Sequence, residues 1–464
     1  MCGGVCEKFS KELFDENVEK FIFKFTVKLL YIISKVKKTT YLRPIKMKIL
    51  LIIPGSGDTF YCGNCFRDNL HAQALRNAGQ DVVIMPLYLP LTDKSFHADT
   101  PLFFPATSYY VSQKYFGKGK MPSVVEKILD SPSILRLASS LSGTTSAKGM
   151  EQMTLSMIKG DDKNFAKQIE KLIHWIVNHD RPDVIHLSSS MLIGIAKAIK
   201  SQINIPIVCS LQDEEIWLDS LESQYAQEAW ASIRDNLSYV DRFIASSEFY
   251  KSVALNKIPE IGEVDVVYPG VNIEKYKSPA YPTEPIIGFY YRMSYENGLD
   301  ILAQSFVQLK NENTIPNLKL KIGGGYTREN KRFVKHIHHI LTPYIHDVIW
   351  SENYSLDEHP AFYKDISLIC APLRFNEAVG LYLCEAFAAG RPAVVPDTGS
   401  FGEIIGNAGL LYSPNDSERL TEALRKILAD TVLYEKCKEN ALQLSHERYN
   451  DVIAADNLLK VYSK

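Results

Sequence analysis

Apolar residues in this chain fall into short, nearly unbroken runs, and between the runs they recur at intervals of three and four. The runs read as strands buried on both faces, and the spaced residues as helices that cover them. Lys48–Pro54 (KILLIIP) is the first run. The glycine-rich turn PGSGD follows, then FRDNLHAQALRNAG at helical spacing with Gly79 to stop it, then the strand DVVIMPLYL. Strand, glycine turn, helix and strand predict the start of a doubly wound α/β lobe. The alternation resumes with the strand DVIHLS, a helix over Leu192–Lys200, and the strands PIVCSL, RFIASS and DVVYPG. It lapses over residues 100–160, which read as an insertion near a cleft. That stretch holds the aromatic cluster FFPATSYYVSQKYF and a Ser/Thr/Gly-rich patch around Leu141–Lys148.

KSPAYPTEP (Lys277–Pro285) places three prolines in nine residues and predicts a linker. A second α/β series then runs through IIGFYY, a helix over Gly298–Lys310, LKLKIGGG, a helix over Arg328–Leu341, DVIWSE, a helix around Asp357–Lys364 and SLICAPL. It continues with a helix over Leu381–Ala389, AVVPDTG, a short helix, and helices to the C-terminus. The expected architecture is two Rossmann-like lobes facing a cleft, over 47–276 and 285–445. An extension over 1–46 precedes them, and a C-terminal helix over 446–464 follows. No internal repeat is visible.

Composition narrows the function. With 46% hydrophobic and 23% charged residues, the 464-residue chain has ordinary globular content. Basic and acidic residues nearly balance, 52 against 54, so no overall basic field exists to hold nucleic acid. Eight cysteines without framework spacing point to a reducing, cytoplasmic setting. Residues 1–46 hold ten Lys/Arg against five Asp/Glu. Within them Lys20, Lys24, Lys28, Lys35 and Lys38 fall on one line of a helix. Residues 20–38 are too interrupted by lysine to span a membrane, and they read as a basic amphipathic helix. It lies either on an anionic membrane surface or on the protein itself. Met47 opens MKILLIIPGSGD and looks like a natural domain start.

The richest chemistry lies between Pro372 and Ile405. Glu377 falls in a loop after a strand, and Glu385, seven residues intervening, on the helix that starts near Gly380. Loop amides and a helix N-terminus make an anion site suited to phosphate. A carboxylate one turn into the helix can accept ribose hydroxyls, and one in the loop can accept sugar hydroxyls. A capping Glu and a surface Glu are the plainer alternative.

The string EAVGLYLCEA resembles the E-G-F-G-L-x-x-x-E-A pattern of the family 4 retaining glycosyltransferases of GT-B fold. The likeness continues through GRPAVVPDTGSFGEII, back through SLDEHPAFYKDISLICAPL and LKIGGGY, and forward through GLLYSPND. VVYPGVNIEKY is similar to the family's motif before the linker. The resemblance implies an enzyme that moves a sugar from a nucleoside-diphosphate sugar to a hydroxyl of a glycan, lipid or small molecule. It implies no cofactor, and without a D-x-D triplet we infer no metal. By the same resemblance, Glu385 would hold the ribose, Glu377 the transferred sugar, and the backbone at Val379, Gly380 and Leu381 the diphosphate and sugar. Arg292 in YYRMSYENG matches the arginine that neutralises the leaving diphosphate. Asn297 stands where the family has a lysine, and Arg374 is a candidate replacement.

In the first lobe, Gly55 and Gly57 allow close approach to the donor phosphates. Gln212 and Asp213 stand where many members place a histidine near the reacting sugar. Either they touch the sugar or acceptor, or the acidic run Asp213–Glu215 caps the next helix. Cys62 and Cys65 in TFYCGNCFRDN, a string similar to one in a poorly characterised subgroup, shape a loop, act as redox thiols, or form half a metal site. Arg67 and Asp68 in that string are acceptor-side candidates. His336, His338 and His339 read as a solvated face. Two other readings stand beside the transferase: a catalytically impaired sugar-nucleotide-binding protein, and a thiol oxidoreductase built on Cys62 and Cys65.

Overall fold

The computed structural model describes residues 46–55, 63–87, 100, 150–160, 163–179, 181–277, 282, 284–351 and 357–464. The basic helix of 20–38, Gly57, Cys62 and most of the expected insertion lie outside these residues. Twelve described strands form two six-stranded sheets whose neighbours all pair in parallel.

The first sheet runs β2-β1-β3-β4-β5-β6. Its strands are β1 (Lys48–Ile53), β2 (Asp81–Pro86), β3 (Val184–Leu187), β4 (Ile207–Leu211), β5 (Arg242–Ala245) and β6 (Val264–Val266). Central strands such as VIHL and IVCSL are buried at every position, because helices cover both faces of a parallel sheet. The covering helices are α1 (Gly63–Asn77), α2 (Glu151–Lys159), α3 (Lys163–Asn178), α4 (Gly194–Gln202), α5 (Glu214–Leu218), α6 (Ser223–Asn236) and α7 (Glu248–Lys257).

The short α8 (Ile273–Tyr276) precedes the second sheet, ordered β12-β11-β10-β7-β8-β9. Its strands are β7 (Ile286–Tyr290), β8 (Lys319–Gly323), β9 (Val348–Trp350), β10 (Leu368–Cys370), β11 (Ala393–Pro396) and β12 (Gly409–Tyr412). Around it lie α9 (Leu299–Glu312), α10 (Lys331–Leu341), α11 (His359–Lys364), α12 (Leu381–Ala388), α13 (Phe401–Ile405), α14 (Ser417–Ala429) and α15 (Thr431–Glu447), before α16 (Asp451–Tyr462) closes the chain.

Two elements depart from the sequence pattern. GLLY forms the edge strand β12, too short to show a period and with only Tyr412 well buried. The C-terminal α16 packs on the first lobe, not the second: Ala455, Leu458, Val461 and Tyr462 share a core cluster with Ile49, Leu51 and Val82. The Tyr462 hydroxyl meets His186 Nδ1 at 2.7 Å, and Ser210 Oγ lies 2.8 Å from Nε2. Burial and the charge of Arg67 pull His186 down to about 3, so it stays neutral.

The lobes interlock. Phe66 and Leu70 of α1 join a cluster dominated by second-lobe residues, and Ala378 joins the first lobe's core. Ser247 caps α7 and donates through Oγ to Ala378 O at 2.5 Å. Glu403 accepts from Glu248 N at 2.9 Å and Phe249 N at 2.8 Å, and from the Tyr268 hydroxyl at 2.5 Å. A carboxylate on the first amides of a helix satisfies orphan donors and complements the helix dipole. Glu403→Ala is therefore expected to cost about 1–2 kcal/mol. Urea unfolding checks it, as a lower midpoint at unchanged slope.

Candidate active site

A cavity of about 540 Å³ opens where β4, β7 and β10 end, lined from both lobes. That is where parallel α/β sheets place ligands, because loops and helix N-termini converge beyond the carboxyl ends of the strands. Glu377 sits in the loop from β10 to α12, almost wholly buried yet on the cavity wall. Its carboxylate accepts hydrogen bonds from the amides of Ala378, Val379 and Gly380, and from the Tyr291 hydroxyl at 3.1 Å. Burial pushes its carboxyl up from the ordinary range, against the hydrogen bonds that favour the ionised form. Gly380 takes φ 68° to open α12, whose eight residues are all buried. Gly399 lets the next loop pass close behind: a Cβ there would lie 2.7 Å from Glu377 N.

Arg292 and Leu381 also line the cavity. Val379 does not; it is core, and its amide and that of Gly380 already serve Glu377. Asn297, in the position of the family lysine, is fully buried and donates through Nδ2 to Arg292 O at 2.6 Å. It thereby supports the backbone that carries the arginine. Arg374 reaches the cavity wall but is engaged elsewhere. Its two Nη atoms each lie 2.8 Å from a carboxylate oxygen of Asp300, and its guanidinium stacks 3.9 Å above the Tyr295 ring. A bidentate partner cancels much of the charge it offers a diphosphate.

On the first-lobe side, Gln212 and Asp213 line the same cavity. Neither Asp213 nor Glu214 caps α5: Asp213 holds the N-cap position without a capping bond, and Glu214 turns back to the loops before the helix. Glu214 Oε1 accepts from Ser190 N at 3.1 Å, and Oε2 from Gln212 N and the Tyr250 hydroxyl at 2.8 Å each. Arg67 is buried behind the wall, where Nη1 donates to Gln212 Oε1 at 2.7 Å and Nη2 to Asp68 and Ser188 O. Arg67 and Asp68 thus orient Gln212 from inside the lobe; neither lines the cavity. Cys65, the third residue of α1, is disulfide-bonded. The other four described cysteines are free, so its partner lies outside the described residues.

Glu385 is fully buried away from the cavity. Its Oε1 lies 2.8 Å from the Tyr276 hydroxyl and 2.7 Å from His359 Nδ1, and its Oε2 accepts from the Tyr363 hydroxyl at 2.8 Å. Among the described residues the structure therefore gathers Glu377, Arg292, Leu381, Arg374, Gln212 and Asp213 around one space. Val379, Glu385, Arg67 and Asp68 stand behind it. Sequence reasoning left out Tyr291, whose signal was its place beside Arg292 at the end of a strand.

Two family profiles match the chain: Glycosyltransferase Family 4 over residues 157–275, and Glycosyl transferases group 1 over residues 271–444. YtcC of Bacillus subtilis, named as a glycosyltransferase, is 24% identical over 303 residues, 60% of this chain and 72% of YtcC. Sucrose-phosphate synthase of Thermosynechococcus elongatus superposes with a TM-score of 0.64 at 16% identity, covering 90% of this chain and 98% of that one. Anabaena HepE, solved in complex with UDP, gives 0.62 at 17% identity over 90% and 100%. At such identities the structural likeness establishes the fold, two Rossmann-like lobes of GT-B type.

Proposed function

We propose that this glycosyltransferase of GT-B fold moves a sugar from a nucleoside-diphosphate sugar to a hydroxyl group, with retention at the anomeric carbon and without a metal. The observation that carries the reading is Glu377, a carboxylate held by three amides and a phenol on the wall of an interlobe cavity that also holds Arg292. The UDP bound by HepE supports the donor class. Glu377 accepts hydroxyls of the sugar. Arg292 faces the diphosphate, where negative charge builds as the leaving group departs. The acceptor oxygen bonds to the anomeric carbon while the bond to the diphosphate oxygen breaks, its electron pair leaving with the diphosphate. The acceptor's proton passes to that leaving phosphate. Retention and the phosphate's role rest on the resemblance carried by EAVGLYLCEA.

The acceptor is a glycan, lipid or small molecule that enters from the side of Gln212 and Asp213. No helix among the described residues is long and apolar enough to cross a membrane. We place the protein in the cytoplasm, with residues 20–38 as its contact to an anionic membrane face. A binding-only protein is the second reading, favoured by Asn297 in the lysine position and by the pairing of Arg374 with Asp300.

A panel of nucleoside-diphosphate sugars, followed by thermal shift and by slow hydrolysis to free nucleoside diphosphate, separates the two. The transferase reading expects a shift and hydrolysis with one donor, unaffected by a chelator. A shift with neither hydrolysis nor transfer to any offered acceptor selects the binding-only reading. No shift with any donor defeats both.

A further inference from the structure

Asp213 has no structural duty that accounts for its place. It follows β4 in the left-handed conformation, at φ 59°, a region that costs residues with a Cβ. It stands at the N-cap of α5, yet its side chain caps nothing, and Glu214 beside it is engaged by the amides of Ser190 and Gln212. Its Oδ2 accepts one long bond, 3.3 Å, from Gln212 Nε2. Its Oδ1 is buried and without a hydrogen-bond partner. No described Lys, Arg or His forms an ion pair with it. Asp213 nevertheless lines the cavity that Glu377 lines from the other lobe. Asn297, fully buried in the same wall as Arg292, also leaves its Oδ1 unpartnered. Polar capacity is thus unmet on both sides of one space, as a site for a hydroxyl-rich ligand requires.

We propose that Asp213 serves the transfer site as a neutral carboxylic acid, donating its O–H to a hydroxyl of the transferred sugar from the lobe opposite Glu377. This rests on the sugar-transfer reading and adds to it a specificity-determining residue and a sugar class.

Two carboxyls that face one cavity do not both ionise cheaply, so one keeps its proton. Glu377, with four donors, is the better anion. Asp213 is the better acid: burial first, then the charges of Glu377 and Glu215, push it well above the usual carboxylate range, and Glu214 adds to the effect. The nearby phenols of Tyr250 and Tyr291 are pushed up and stay neutral. The opposing wall carries Arg292, Glu296 and the Asp300-paired Arg374. An arriving diphosphate adds negative charge and holds the proton on Asp213 more tightly. Above the Asp213 transition donor binding therefore takes up a proton, and affinity falls as pH rises through it. The sugar is uncharged, such as a neutral hexose, because a uronic acid would bring a third carboxyl group into the same space.

Calorimetric titration of the full chain with the donor found by the panel, at several pH values and in buffers of differing ionisation enthalpy, tests this. Below the Asp213 transition wild type is expected to bind without proton uptake; above it, binding takes up a proton and Kd rises by up to about tenfold per pH unit. Asp213→Asn, which keeps a neutral donor in place, flattens that rise, whereas Asp213→Ala weakens binding at every pH. An unchanged pH slope in Asp213→Asn, or equal behaviour of the Asn and Ala variants, overturns the proposal. So does a nucleoside-diphosphate uronic acid bound as tightly as the hexose. A second readout needs no donor: the infrared difference spectrum of wild type against Asp213→Asn at neutral pH should show a protonated-carboxyl band. A bound donor without that band defeats this inference alone. The band without any bound donor defeats the transfer reading and the sugar contact with it.

Discussion

Glu377→Ala is expected to stop sugar transfer while leaving most of the nucleotide affinity in place. The carboxylate touches the cavity where the sugar would sit, and Arg292 is left to hold the diphosphate. A group that acts on the reacting sugar more strongly in the transition state lowers kcat when removed, with little change in ground-state binding. Loss of one such preorganised contact costs about 10²–10³ in kcat. The side chain also accepts three amides ahead of α12, so truncation risks loosening the loop as well. Glu377→Gln separates the effects, because it keeps the volume and one acceptor oxygen but loses the charge. Steady-state kinetics on both variants, beside their thermal midpoints, give the answer. If Glu377→Gln folds as wild type and turns over as wild type, the carboxylate has no part in transfer.

Much of this was legible in the chain because parallel strands buried on both faces leave unbroken apolar runs, and helices leave a 3.6-residue period. VIHL, IVCSL and LIC announce themselves in this way, and the loops that follow such strands are where chemistry gathers. Pairings between side chains distant in sequence leave no such trace. Nothing near Arg374 reveals that Asp300 neutralises it, and nothing in the acidic run Asp213–Glu215 says which carboxylate turns inward to backbone amides and which is left for the cavity. Arg67 reads as an acceptor-side residue in the loop of Cys62 and Cys65, but the fold buries it and turns it toward Gln212. The return of α16 to the first lobe is invisible for the same reason, since an apolar stripe does not name the surface that covers it.

Glu385→Ala is expected to lower global stability by about 3–5 kcal/mol, because it takes the acceptor from three buried hydrogen-bond partners at once. The carboxylate ties its own helix α12 to two others, through Tyr276 at the end of α8 and through His359 at the start and Tyr363 in the last turn of α11. All three partners are buried, and their rings pack on one another through Tyr290, so no water-filled space is at hand to replace the lost acceptor. Each donor left unsatisfied costs about 1–3 kcal/mol. Tyr276→Phe, which removes one donor and keeps the carboxylate, should cost about 1 kcal/mol. Urea midpoints at unchanged slope measure both losses. The comparison also settles what the second glutamate of EAVGLYLCEA does here. Among the described residues Tyr276, His359 and Tyr363 occupy Glu385, so a ribose that reached it would displace one of them, and a variant that kept full stability while losing donor affinity would show that it does. A variant that loses stability, with the surviving folded fraction still binding donor, makes Glu385 the keystone behind the site and leaves the ribose to the cavity wall.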